Sequence, residues 1–356
     1  MIDERVEALR NLFKEKEIDS FLVNSPTSLQ YLFGYSGTNG LGFITTSKSY
    51  FITDFRYKDQ SASEISAAEI ILAEGLLSDS LNSIKDITKY KKTGFEASAV
   101  SYDQFQSYIQ ILSESELIPC HDFVERIEAV KSAQEIGCIS RACGITIEVF
   151  RELLPLIKPG ITEKDIAAEI SYKILKSGGD GDAFPPIVLF GAGTAFPHGT
   201  PRDVKLEEGD LIQLDFGVRY KGYCSDFSRV LIAGKLSREQ REIYLAVKES
   251  IDRTVEILKP GMPVKDVDLF SREIIEKRGF GRYFGHSIGH GVGLAIHALP
   301  KLSRSSDEIL TVGNVFTIEP GIYLTGSCGI RIEDLIYLDE SGPRVLTDTP
   351  RDIISL

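Results

Sequence analysis

The chain has 356 residues, of which 42% are hydrophobic and 26% charged, a composition that excludes disordered and fibrous proteins. Its net charge of -12 arises from 52 acidic against 40 basic residues, so nucleic acid and anionic membranes are poor partners. The length favours two domains over one.

Neither export nor membrane insertion is indicated by the sequence. No apolar run approaches the roughly 18 residues of a membrane span, and residues Met1 to Arg5 have the pattern of a charged helix face instead of a secretory signal. The cysteines are odd in number, scattered and without a CxxC pair: Cys120, Cys138, Cys143, Cys224 and Cys328. This usage indicates neither disulfides nor a thiolate zinc site, and we expect a cytoplasmic protein.

The first part of the chain alternates helical and strand-like patterns. Apolar residues recur at helical spacing over 6–13, and residues 21–23 resemble a short buried strand. Two β-rich runs, 42–46 and 49–53, predict a hairpin. Further short strands, separated by helical stretches, are predicted at 70–72, 93–95 and 117–119. This alternation predicts an α/β domain over residues 1–126.

A different pattern begins near residue 127. A long helix is predicted through Ile136 and Ile147, and a second helix follows Pro159-Gly160 with Thr162 at its start. Helices over 237–258 and 264–277 are again separated by Lys-Pro-Gly, which indicates a duplicated half. We therefore predict an α+β domain over 127–356, with helices packed on a curved antiparallel sheet. The glycine-rich runs in this domain lack the spacing of a nucleotide-binding loop.

Acidic residues interrupt several apolar strands of the second domain, although Asp and Glu are depleted in strands. Asp215 and Asp226 lie on two runs joined by a tight turn near Gly222. In a two-residue hairpin, positions whose numbers sum to an odd value share a face, so both carboxylates project to the same side. The two carboxylates can share one metal ion. In the alternative interpretation, each Asp is a turn residue or an edge residue.

Glu319 and Glu333 repeat this pattern in later strands. Buried and uncompensated, each carboxylate would cost several kcal/mol, which a metal pair would remove. His290, in a glycine-rich segment, brings the set to four carboxylates and one imidazole. Such a set suits two divalent ions, manganese, cobalt or zinc. Taken alone, His290 would more often be structural.

These residues and their neighbours resemble the Xaa-Pro aminopeptidases and prolidases of the pita-bread fold. The matching motifs are Leu214-Asp215-Phe216-Gly217, Gly289-His290-Gly291-Val292-Gly293, Glu319-Pro320-Gly321 and Arg331-Ile332-Glu333-Asp334. The first domain resembles the family's creatinase-type domain in Tyr35-Ser36-Gly37-Thr38-Asn39-Gly40 and in the run 51–57. The resemblance implies a creatinase-type α/β domain followed by a pita-bread catalytic domain, and metal ligation by Asp215, Asp226, His290, Glu319 and Glu333.

The resemblance also implies catalytic roles. Glu319 would handle the proton of the attacking water, His297 would stabilise the oxyanion, and His198 would contact the substrate or the departing proline nitrogen. The implied cofactor is a pair of divalent ions, with manganese first and cobalt or zinc as alternatives. The implied substrates are short proline-containing peptides, and the implied assembly is a homodimer.

His286, Arg331 and Lys301 are the candidate substrate-binding residues. Arg331 lies two residues before Glu333, on the same strand face, where it can orient ligands; a surface ion pair is the alternative. Lys301 occupies a position where some dipeptide-specific relatives carry a basic residue for the substrate carboxylate, and a solvated lysine is its alternative. Dipeptidase and aminopeptidase activity therefore both remain open.

Two positions depart from the family pattern. Gly193 stands where relatives commonly carry Asn, and Ala298 stands where a Glu is usual. Neither change removes a ligand or a catalytic histidine, so we expect activity with altered hydrogen bonding around the site. Two other functions fit the same fold: a metal-independent creatinase-like C–N hydrolase, and a non-catalytic binding protein.

Overall fold

The computed structural model describes residues 2–356, so that Met1, the first residue of the predicted charged helix face, lies outside the described residues. The chain forms two compact units, residues 2–128 and 129–356, that divide between Glu128 and Ala129. No helix within residues 2–356 combines the length and the apolar character needed to cross a membrane.

The first unit is built around a six-stranded mixed sheet. Its strands are β1 (Ser20–Val23), β2 (Leu41–Thr45), β3 (Ser49–Asp54), β4 (Glu69–Ala73), β5 (Lys92–Glu96) and β6 (Glu116–Cys120). In the order β4-β3-β2-β1-β5-β6, β2 is antiparallel to β1 and β3, and the remaining neighbours are parallel. The helices are α1 (Ile2–Lys16), α2 (Pro26–Phe33), α3 (Lys58–Glu64), α4 (Tyr102–Ile111) and α5 (Phe123–Glu128). The predicted hairpin and the three predicted strands are confirmed.

The second unit begins with a helix pair and repeats it later. These helices are α6 (Ala133–Leu153), α7 (Glu163–Lys176), α8 (Arg238–Ile257) and α9 (Val264–Lys277). Thr162 caps α7 as predicted, because its hydroxyl accepts from the Asp165 amide while the Asp165 carboxylate reaches back. Ser132 and Ser237 cap α6 and α8 by the same reciprocal arrangement.

The predicted duplication is visible in the backbone between the helices of each pair. Gly160 and Gly261 follow the two Lys-Pro dipeptides, and both have positive φ, 95° and 85°. The Gly160 amide donates to Leu206 O at 2.9 Å, and the Gly261 amide donates to Leu310 O at 2.8 Å. The two halves therefore use the same turn and an equivalent backbone hydrogen bond before their second helices.

Strands of the second unit form several mostly antiparallel sheets. They are β7 (Gly181–Asp182), β8 (Ile187–Phe190), β9 (Leu211–Asp215), β10 (Val218–Tyr220), β11 (Tyr223–Cys224), β12 (Ser228–Ile232), β13 (Gly289–Gly291), β14 (Ala298–Leu302), β15 (Val315–Ile318), β16 (Gly321–Leu324), β17 (Cys328–Arg331), β18 (Asp334–Asp339), β19 (Gly342–Val345) and β20 (Ile354–Ser355). Their orders are β11-β10-β7, β20-β12-β9-β8, β14-β13-β15-β18-β19 and β16-β17. The antiparallel sheet predicted for this unit is thus divided into segments, with β20 parallel to β12.

The two helix pairs pack on sets of strands that have β9 and β12 in common. Ile166, Ile170 and Ile174, four residues apart on α7, are fully buried in a cluster with residues of α6, β8, β9 and β12. Residues of α8 and α9, including Val264 and Ile275, form a second cluster with residues of β9, β12 and β14 to β18. These cores fix the strand ends that carry the polar residues described next.

Candidate metal centre and substrate cavity

The five predicted metal ligands lie in strands of the second unit or within two residues of them. Asp215 ends β9, Asp226 lies between β11 and β12, and His290 is the central residue of β13. Glu319 directly follows β15, and Glu333 lies between β17 and β18. All of them line one cavity of about 570 Å³. The structure therefore brings together residues that are more than one hundred positions apart in the chain.

Distances within this group are those of a metal-binding cluster. The imidazole Nε2 of His290 lies 3.6 Å from Asp226 Oδ2 and 3.4 Å from Glu319 Oε1. One donor atom each from Asp226, His290 and Glu333 lies within 4.8 Å of the others. A single cation can contact all three side chains from that space.

His290 has the tautomer and the charge that a metal ligand requires. Its Nδ1 lies 3.1 Å from Gly291 O, and because a carbonyl only accepts, this nitrogen carries the hydrogen and leaves the Nε2 lone pair toward the acids. Burial lowers the pKa of His290 to about 4. The ring is therefore uncharged at neutral pH, as metal ligation requires.

The carboxylates repel one another in a buried space. Burial first, and then the charge of Asp215, raises the pKa of Asp226 well above its usual range. Burial raises the pKa of Glu333 in the same way, with the Asp226 charge as the next cause, and raises that of Glu319 to about 7. In addition, Asp215 Oδ1 is buried without a hydrogen-bond partner. This donor set fits divalent cations, which would satisfy the unpaired oxygen and offset the repulsion.

Hydroxyl groups that the sequence analysis missed hold the acids in place. Ser228 lies opposite Asp215 in the strand pair and donates to Glu333 Oε2 at 2.9 Å. The Thr317 hydroxyl accepts from the His290 amide at 3.1 Å and lies 3.2 Å from Glu319 Oε1, to which it donates. Ser228 and Thr317 each lie two residues from a predicted ligand, so strand alternation is the signal that could have identified them.

Arg331 is buried beneath the acids, with 4% of its surface exposed, so the surface ion pair considered as its alternative does not occur. Its Nη2 donates to the Asp215 carboxylate, and its Nη1 donates to the Tyr323 hydroxyl at 2.8 Å. The Tyr323 hydroxyl lies 3.0 Å from His286 Nε2, while His286 Nδ1 lies 2.8 Å from Ser287 O. The chain of contacts thus runs from Asp215 through Arg331 and Tyr323 to His286; Tyr323 was not predicted to have this role.

The remaining predicted side chains surround the acids. His198 and His297 line the cavity with exposed surfaces, and the His297 ring centroid lies 4.4 Å from that of His290. Burial lowers the pKa of His297, and the charge of His198 lowers it further. Lys301 also lines the cavity and lies directly opposite His290 in the β13–β14 pair. Because opposed residues of antiparallel strands share a face, Lys301 projects on the same side as His290.

Apolar groups form the other cavity walls. The lining includes Phe184, Pro185, Pro186, Ile187, Pro197 and Ile296. The sequence also offered Tyr283 and Phe284 as walls, with core packing as the alternative. Phe284 is 3% exposed and packs in the core under the Arg272 guanidinium, and Tyr283 packs against the same core. Phe184 alone of these three aromatics contributes to the cavity lining.

Comparisons with known proteins place the chain in a family. Residues 137–340 match Metallopeptidase family M24, and residues 5–130 match the Creatinase/Prolidase N-terminal domain. The uncharacterised peptidase YqhT of Bacillus subtilis is 40% identical over 352 residues, 99% of this chain and 100% of its own.

Two solved structures are similar over nearly the whole chain. A Xaa-Pro dipeptidase from Bacillus anthracis has a TM-score of 0.97 with 36% identity and covers 100% of both chains. An X-Pro aminopeptidase from Thermotoga maritima has a TM-score of 0.88 with 37% identity, over 96% of this chain and 98% of its own.

Proposed function

The chain belongs to metallopeptidase family M24, and it is a hydrolase with a creatinase-type N-terminal domain. From this premise we propose that it is an Xaa-Pro dipeptidase. Its substrates would be short peptides in which proline follows the N-terminal residue, and the bond before proline would be cleaved. We choose dipeptides as the substrates because of the position of Lys301, which lies on the same strand face as His290 and lines the same cavity.

The cavity suits a proline-containing dipeptide. An imide bond before proline has no N–H, so recognition has to come from shape and apolar contact instead of a backbone hydrogen bond. Phe184, Pro185, Pro186 and Pro197 supply such a wall beside the acids. A volume of about 570 Å³ is in the range of small-molecule sites. The Lys301 ammonium would pair with the free carboxylate of the C-terminal proline.

The five ligands would hold two divalent ions, with manganese as the first choice and cobalt or zinc as alternatives. When bound, such ions polarise the scissile carbonyl and lower the pKa of water. Glu319 would take the proton of the attacking water and pass it toward the leaving nitrogen. His297 would donate to the developing oxyanion, and His198 would contact the proline nitrogen as it leaves.

Tyr323 and Arg331 have a supporting role in this proposal. Arg331 would hold Asp215 in its ligating orientation, and through Tyr323 it would fix the neutral His286 ring at the substrate. We also infer a cytoplasmic homodimer. The scattered cysteines, which are free in the structure, suit a reducing compartment, and a measured monomer mass would contradict the dimer.

The test compares an Xaa-Pro dipeptide with the tripeptide that extends it by one residue, on metal-stripped enzyme to which manganese, cobalt or zinc is returned. A matched Xaa-Ala dipeptide controls for proline selectivity. Metal-dependent cleavage of the Xaa-Pro dipeptide alone supports the proposal, whereas cleavage of the tripeptide makes the enzyme an aminopeptidase. Inactivity on both peptides with every metal favours the C–N hydrolase or the binding protein.

A further inference from the structure

One buried carboxylate outside the candidate metal centre accepts four hydrogen bonds. Glu163, the first residue of α7, has no exposed surface. Its Oε1 accepts from the Phe190 amide and from Arg202 Nη2, both at 2.8 Å. Its Oε2 accepts from the Arg202 amide at 2.8 Å and from Arg202 Nε at 3.0 Å. We call Glu163, Arg202 and the two backbone amides the Glu163–Arg202 clasp.

The clasp joins the two ends of one loop. Phe190 is the last residue of β8, and Arg202 is the residue at which the chain returns to Glu163. The loop between them, residues 191–201, contributes Pro197, His198 and Thr200 to the lining of the substrate cavity. Because a single carboxylate binds both ends, the separation and direction of the loop ends are set by Glu163.

His198 depends on this loop for its orientation. Within residues 2–356 no hydrogen bond holds its imidazole, and the side chain is exposed to the cavity. The loop is held at inner points by the Gly329 amide, which donates to Thr194 Oγ1 at 2.8 Å, and by Arg331, which donates to Pro197 O at 3.1 Å. The position of the His198 ring therefore follows from how the loop backbone is fixed.

Gly193 is adapted to the clasp. A Cβ atom at this position would collide with Arg202 Nη2 and would lie 3.4 Å from Glu163 Oε1. The guanidinium thus occupies the space that any side chain at residue 193 would need. This contact gives a physical reason for glycine at a position where the sequence analysis noted a departure from the family pattern.

We propose that the Glu163–Arg202 clasp positions His198 in the substrate cavity, which makes Arg202 a positioning residue that acts through His198. The proposal rests on the proposed function for its kinetic readout. The bidentate ion pair has one fully buried partner, whereas the neighbouring pair Lys164–Asp203 joins the same two segments with 56% and 78% of its side-chain surfaces exposed. An exposed pair of that kind contributes little, so Lys164→Ala is a matched control.

The kinetic test uses the metal-loaded enzyme and an Xaa-Pro dipeptide. Arg202→Ala is expected to lower kcat/KM about tenfold or more, because small displacements of a reacting group are costly, while Lys164→Ala leaves kcat/KM unchanged. In the His198→Ala background, Arg202→Ala should cause no further loss. An equal loss in both backgrounds, or no loss in either, overturns the proposal. Melting temperature and metal content identify variants that have failed to fold.

A second measurement needs no substrate. The imidazole resonance of His198, assigned by its disappearance in His198→Ala, is followed by NMR in zinc-loaded protein. Arg202→Ala should shift or broaden this resonance, while that of His121 in the first unit stays in place. If no Xaa-Pro peptide is cleaved but the His198 resonance moves, the clasp is supported and the proposed function fails. An unmoved resonance overturns the clasp whatever the enzyme cleaves.

A further test combines Gly193→Ala with Arg202→Ala. Gly193→Ala should displace the guanidinium and reproduce the His198 resonance change of Arg202→Ala. Once Arg202 is already alanine, Gly193→Ala should add nothing, because the colliding group is gone. A Gly193→Ala variant with the wild-type resonance would contradict the proposal.

Discussion

Lys301 and His290 are directly opposed in the antiparallel pair β13–β14, so the proposed carboxylate-binding residue and a proposed metal ligand share one strand face. Lys301→Met should therefore raise KM for an Xaa-Pro dipeptide with little change in kcat. The loss of one hydrogen bond to a charged group predicts a rise of about 10- to 100-fold. Steady-state kinetics with the dipeptide measures it.

The controls for this variant are a second substitution and a second substrate. Lys301→Arg keeps the charge and should keep most of the affinity. A tripeptide, whose carboxylate lies one residue further on, should respond little to Lys301→Met. Equal KM values for wild type and Lys301→Met with the dipeptide would remove Lys301 from the substrate site.

Glu319 has the most demanding role, since it is both a proposed ligand and the proposed proton carrier. Glu319→Ala should nearly abolish turnover, by about 100- to 10,000-fold, while leaving the fold intact. The measurement is kcat on an Xaa-Pro dipeptide at saturating metal, with circular dichroism as the check on folding. Wild-type turnover in a metal-loaded Glu319→Ala protein would refute the assignment.

His297 should behave differently from the ligands. Its ring lies beside His290, but its proposed role is donation to the oxyanion, so His297→Ala should lower kcat about 100- to 1,000-fold. Metal content, measured by elemental analysis, should equal that of wild type. If His297→Ala loses metal instead, the residue is a ligand and its catalytic role is wrong.

Sequence patterns were sufficient to predict features that depend on local chemistry. Acidic residues in apolar strands conflict with strand propensity, and that conflict identified Asp215, Asp226, Glu319 and Glu333, which line one cavity in the structure. The Lys-Pro-Gly recurrence identified the repeated helix pairs because a glycine with positive φ ends the same turn in both.

Contacts between distant segments could not be predicted in this way. The Ser228 hydroxyl reaches Glu333 across 105 residues, and Arg202 reaches Glu163 across 39, so no local pattern contains either pair. Lys301 illustrates the same limit, since only the β13–β14 register shows which side it faces.

Metal removal should destabilise the protein. Without cations, Asp226 and Glu333 remain buried and mutually repulsive, so a chelator should lower the melting temperature by several degrees, and returned manganese should restore it. Differential scanning calorimetry with and without chelator measures the change. In a variant that combines Asp226→Asn with Glu333→Gln, neither the chelator nor manganese should change the melting temperature. An unchanged melting temperature in the chelated wild type would argue against a bound metal.

His286 gives a prediction about pH. Burial lowers its pKa from 6.5 to about 4, and the charges of Arg331, His198 and Arg272 act in the same direction. The ring stays neutral in the folded state while the unfolded chain takes up a proton, so this contribution to stability is present above pH 6.5 and is lost as the pH falls toward 4. Between pH 7 and pH 5, the contribution of His286 to the free energy of unfolding should fall by about 2 kcal/mol.

A substitution at residue 286 isolates this effect from the other acid-sensitive groups. In His286→Gln the amide oxygen can still accept from the Tyr323 hydroxyl, which preserves the contact seen at 3.0 Å, but the side chain no longer titrates. Urea unfolding at pH 7 and pH 5 should therefore show a smaller acid destabilisation in the variant than in wild type. The comparison uses differences between two pH values, so any constant cost of the substitution cancels. If both proteins lose the same free energy of unfolding between pH 7 and pH 5, His286 is not held neutral by its burial.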